Sequence, residues 1–88
     1  MWPVQHHFGI TGFEAADALF ASALQRSHAP TTDQVRQAID AAVRAFGHSG
    51  CAGRVAQEFG DHPETAAVRM RWARETLAGL AFRVRLAA

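Results

Sequence analysis

Apolar side chains recur at helical spacing along most of the chain. From Phe13 the residues Ala16, Leu19, Phe20, Ala23 and Leu24 follow the 3.6-residue period, which predicts one helix over about 12–28. Thr11 with Glu14 three residues later has the spacing of a capping box at its start. Ala29-Pro30 ends it, because proline pushes the preceding residue out of the α region. A second box, Thr31 and Gln34, opens a helix over 32–46, where Val35, Ala38, Ile39, Ala42, Val43 and Phe46 line one face. Gly47 sits where a left-handed residue closes a helix. His48-Ser49-Gly50 reads as a turn, with Ser49 or Gly50 as N-cap of a short helix over 51–59 that buries Ala52, Val55, Ala56 and Phe59 before Gly60. Pro63, favoured at a first helical position, starts the last helix, 63–86. There Ala66, Met70, Ala73, Leu77, Leu80 and Val84 alternate steps of four and three, and Gly79 is a point where the helix could bend.

The pattern predicts an all-α protein: a compact bundle of four helices (about 12–28, 32–46, 51–59, 63–86) in a single domain, 1–88. Residues 1–10 have neither period and are expected to form an irregular arm that packs through Trp2 and Phe8. Composition agrees with this. Nineteen alanines supply much of the apolar share, and alanine is the strongest helix former. A chain of this length buries only about 60–65% of its unfolded surface, so the core must be thin.

All nine basic residues are arginine. Arginine in place of lysine, with abundant alanine, is what GC-rich coding sequence produces, and the chain looks like the small proteins of high-GC bacteria. The net charge of +1 is too small to imply nucleic acid by itself. Residues 51–88 are more basic than 1–50, with six arginines against four acids rather than three against four. One cysteine excludes an internal disulfide. No basic, apolar leader and no long uncharged apolar run is present, so the expected location is cytoplasmic. His48 and Cys51, with His62 and His6-His7 scattered around them, fall short of the paired short spacings of a zinc site, so no metal and no cofactor are expected. Cys51 reads as a small buried residue, with redox sensitivity at a helix start as the other reading. The carboxylates occupy helix-start and solvent positions, and no nucleophile–base or paired-acid arrangement emerges. An enzyme and a small-molecule substrate are not expected.

The stretch from Arg54 to Leu77 carries one motif. Val55-Ala56 and Gly60 fall along a first helix, and Pro63, Thr65, Arg69, Met70, Ala73, Arg74 and Leu77 along a second. This resembles the helix-turn-helix of sigma-factor region 4 and related bacterial regulators, over about 25 of 88 residues. Asp61, His62 and Ala66 depart from the family's usual residue types, and Ala67 and Val68 stand at positions that usually carry polar readers. The resemblance implies a small regulator of transcription that binds DNA, with dimerisation to add affinity, its last helix entering the major groove. Thr65 and Arg69 would meet phosphate, and Arg71 and Arg74 bases or phosphate.

A helical wheel shows a second apolar face on the same helix, which the arm 1–10 could cover, which Gly79 could redirect, or which a partner could meet. With the seam at zero, Val68, Trp72, Gly79 and Phe82 gather on the opposite side, so the helix is apolar on two faces. The alternative is therefore a protein-interaction module, a homodimer or adaptor, whose partner meets Val68, Trp72 and Phe82 without DNA binding.

Overall fold

The computed structural model describes residues 12–25 and 29–87, with side chains as far as residue 80. The expected Thr11 cap, the arm 1–10 and the Phe82 side chain lie outside the described residues. Among the described residues the fold has three helices, α1 (Gly12–Ala21), α2 (Thr32–Asp61) and α3 (Pro63–Ala87). The fold is all-α, as the pattern predicted, but the expected four helices are three. The segments expected at 32–46 and 51–59 belong to one helical element of 30 residues.

The reason for the merger is Gly47. Its backbone lies at φ 73° and ψ 169°, a region that essentially only glycine occupies. The element bends there and resumes helical geometry at once, so the expected His48-Ser49-Gly50 turn is itself helical. The bend is sharp. Cys51 Sγ donates to the Ala42 carbonyl at 3.6 Å, although nine residues of straight helix would separate the two by about 13.5 Å. Gly50 serves the same bend, since a Cβ there would come within 2.9 Å of Phe46 Cβ.

The α2 start is capped as its spacing predicted. The Thr31 hydroxyl accepts from the Gln34 amide at 3.1 Å, and Gln34 Oε1 accepts from the Thr31 amide at 2.8 Å. Its end runs past Gly60 to Asp61. His62 alone then separates α2 from α3, with its amide donating to Glu58 and its carbonyl accepting from Ala66. A helix-turn-helix joins its helices through a turn of three to four residues. This joint has one, so the expected helix-turn-helix arrangement is corrected to a one-residue corner. Pro63 opens α3 as expected, and Gly79 does not interrupt it.

α1 is shorter than its pattern. It stops at Ala21, where Ser22 folds its amide and hydroxyl back onto the Leu19 carbonyl and then accepts from the Leu24 amide. The side chain thus offers the backbone a local alternative to the next helical turn. Leu24 still packs against the core from outside the helix.

Two clusters make that core. In the larger, Ala16, Leu19 and Phe20 of α1 meet Val35 of α2 and the α3 seam of Ala66, Met70 and Ala73, with Leu77 and Leu80 half-buried at its edge. In the smaller, Ala18 of α1 sits in the elbow of α2 against Ala42 and Cys51. Beyond the elbow α2 buries little. Ala52 and Ala56, expected inside, are exposed, and Val55 is half-buried. Phe59 leaves 38% of its surface open while stacking on Phe20 at 6.2 Å between centroids.

Candidate functional site

The end of α1, the outer part of α2 and the start of α3 converge on Arg69. α1 ends without a glycine and without a basic residue in its last turn, so its terminal carbonyls need an outside donor. Arg69 reaches across from α3 and provides it. Its Nε donates to the Phe20 carbonyl at 2.7 Å, and Nη2 donates to those of Ser22 at 2.9 Å, Leu24 at 3.1 Å and Leu19 at 3.4 Å. The guanidinium lies 5.0 Å from the Trp72 ring centroid and 5.8 Å from that of Phe20, within cation–π range. Burial alone pulls its pKa below the usual guanidinium value, and no carboxylate offsets that effect.

Beside it opens a cleft of about 570 Å³ lined by Phe20, Ala21, Arg54, Gln57, Glu58, Thr65, Ala66 and Arg69. That volume suits a side chain or a small ligand. Arg54 lies about two turns past Gly47, with its guanidinium 3.7 Å from the Phe46 ring centroid. On the far side of α1, Asp17 faces Cys51 and Arg74. Burial raises the Asp17 carboxyl above its ordinary pKa, Arg74 lowers it in part, and Glu14 adds to the rise. Burial likewise raises the Cys51 thiol, helped by Asp17 and opposed by Arg54.

The structure distributes the sequence's candidates unevenly. Arg69, expected at a phosphate, spends Nε and Nη2 on main-chain carbonyls of the chain itself. Thr65, also expected at a phosphate, is exposed and donates its hydroxyl to the His62 carbonyl at 3.2 Å. Arg71 and Arg74 are exposed, Arg74 on the side that faces Asp17 of α1. Of the expected apolar face, Val68 is 38% exposed, while Trp72 packs against the larger core cluster. The wheel placed Trp72 outward because it counted the seam as the only buried stripe, and the Arg69 clamp widens the buried side towards Trp72. Cys51 is buried, and the described residues contain no group of three metal-ligating side chains.

Sequence reasoning missed the clamp. Its one signal was negative: α1 has no residue of its own to close its C-terminus. Nothing local says which distant side chain supplies the cap.

No protein-family model matches the chain, and no curated protein or solved structure matches it either. Function is therefore argued from the geometry of these residues.

Proposed function

We propose that the protein is a helical protein-binding module, an adaptor whose partner docks at the α2–α3 corner. The observation that carries this reading is apolar surface left open around that corner. Phe59 and Val68 are 38% exposed on the two helices that meet there. Scattered apolar residues on a surface are ordinary, but an aromatic and an aliphatic side chain left open on the two helices that flank a cleft are what docking sites offer. Further support is that two of the four candidate DNA contacts, Thr65 and Arg69, already serve the chain's own backbone. The exposed acids Glu58, Asp61 and Glu64 also crowd the corner, which disfavours a phosphate backbone there.

Selection of a displayed peptide library on the protein tests this. The expected result is peptides that bind wild-type protein, lose about tenfold or more on Val68→Asp, and are indifferent to Arg71→Ala. DNA fragments retained at low salt and released by Arg71→Ala, with no peptide selected, would support the DNA-binding reading instead. A mass that doubles with concentration and reverts with Val68→Asp would make the partner a second copy of the chain.

A further inference from the structure

We infer that the cleft at the α2–α3 corner is a carboxylate site, taking an aspartate or glutamate side chain that a partner protein presents beside an apolar residue. The inference rests on the protein-binding reading and specifies the chemistry of the partner.

Arg69 commits one edge of its guanidinium and leaves another open. All four of its hydrogen bonds leave from Nε and Nη2. Nη1 makes none of them. Among the described residues no buried side-chain nitrogen or oxygen lacks a partner, so Nη1 is open to solvent. Arg69 is thus fixed by carbonyls on one edge and presents two free N–H donors on another, in a residue that lines the cleft. A guanidinium held this way has already lost its rotamer freedom, so a ligand it binds does not bear that cost.

The cation also has no carboxylate among its described hydrogen-bond partners. Every hydrogen bond it makes goes to a neutral carbonyl, and all eight Asp and Glu residues of the chain lie in the described part. A half-buried guanidinium with an open edge gains from a carboxylate that meets that edge. Arg54 also lines the cleft, with its guanidinium resting 3.7 Å from the Phe46 ring centroid, and Gln57 adds a neutral donor. Phe20 and Ala66 form the apolar part of its wall, and the half-open Phe59 stacks on Phe20.

Charge selects among anions. Glu58 lines the cleft, and Asp61 and Glu64 stand exposed at the corner. Three acids against Arg54 and Arg69 repel an extended polyanion, whose charges continue beyond the cleft. A single carboxylate on an apolar stem brings one charge past those acids where a polyanion brings many, and it meets the open edge of Arg69 directly. The mixed wall therefore fits an acidic residue flanked by leucine or phenylalanine better than it fits nucleic acid.

The test follows arginine Nε–Hε resonances by NMR while acetyl-Leu-Glu-Phe-amide, its glutamine counterpart, or a short duplex DNA is added. Saturable movement of the Arg69 and Arg54 signals by the glutamate peptide, with a dissociation constant on the order of millimolar, is expected. The glutamine peptide should bind about tenfold more weakly. Arg54→Gln should bring the glutamate peptide down to that level; it leaves the Arg69 clamp intact, so folding is not in question. Arg69→Lys, which keeps the charge and loses the fork, is expected to weaken binding as well. Equal movement by both peptides would overturn the carboxylate site and leave the protein-binding reading standing. No movement by either would remove the cleft as a site, with peptide selection still deciding the broader reading. Movement of the same arginines by duplex DNA at lower concentration than by the glutamate peptide would overturn the inference in favour of a polyanion.

Discussion

Replacing Arg69 with methionine removes the clamp and little else. Methionine keeps an aliphatic stem beside Trp72 and Phe20 and deletes the three N–H groups that reach α1. Hydrogen bonds to a charged group contribute about 1.5–3 kcal/mol each. The two shortest, to Phe20 and Ser22 at 2.7 and 2.9 Å, dominate, and the contact to Leu19 at 3.4 Å is long. The freed carbonyls border an open cleft and regain some water, so each bond counts near the low end. A loss of about 3 kcal/mol follows. A domain of this size has about 4–13 kcal/mol in total, so the clamp is a large fraction of its stability. The midpoint of thermal unfolding should fall by about 12–24 °C, at roughly 4–8 °C per kcal/mol. Far-UV circular dichroism melts measure it, with Arg71→Met as the control. Arg71 is exposed, and the same substitution there should stay within about 0.5 kcal/mol of wild type. Arg69→Lys should recover part of the loss, because an ammonium cannot span carbonyls at both edges of a fork. If Arg69→Met and Arg71→Met melt together, the clamp is ornamental and the account of how α1 is held fails.

Three further outcomes follow from the same structure. Gly47→Ala should destabilise by about 1–3 kcal/mol from backbone strain alone, since space for the methyl exists, whereas Gly53→Ala on the exposed helix should stabilise by about 0.5–1 kcal/mol; denaturant titrations compare them. Asp17 has a folded pKa above its ordinary 3.8, so its contribution is fully present below that pH and is lost as pH rises through the folded value; Asp17→Asn should therefore melt higher than wild type at neutral pH, and the gap should close in acid. The Cys51 thiol is raised above its ordinary 9.0, so the unfolded chain ionises first and stability should fall as pH climbs past that value; Cys51→Ala should flatten the slope, and the folded thiol should react slowly with disulfide reagents.

What was legible in the sequence was local. The Thr31–Gln34 box, Pro63 at a helix start and the Ala66, Met70, Ala73 seam are all set by neighbours within a turn or two, and all stand as their spacing predicted. Gly47 was recognised as a special position, but its ψ could not be read. A closing glycine has ψ of about 47°, whereas Gly47 has ψ 169° at positive φ, and the chain resumes helical geometry directly after it. The early stop of α1 depends on Ser22 and on Arg69, 47 residues further along the chain. Hydrophobic period says nothing about such a contact, because arginine counts as polar and is assigned to solvent. The candidate site shares that origin. Arg69 was picked out for its place in a DNA-binding motif, while its position in the fold gives it a different set of partners.

Titrating one labelled sample with two ligands bears most directly on the protein-binding reading. Backbone amide shifts should be recorded at low salt with a library-selected peptide and, separately, with a short duplex DNA. The account predicts saturable shifts with the peptide at Arg54, Phe59, Val68 and Arg69, and none with DNA beyond weak, salt-erased movement near Arg71 and Arg74. Saturable DNA shifts along residues 63–74, with no peptide response at the corner, would contradict it.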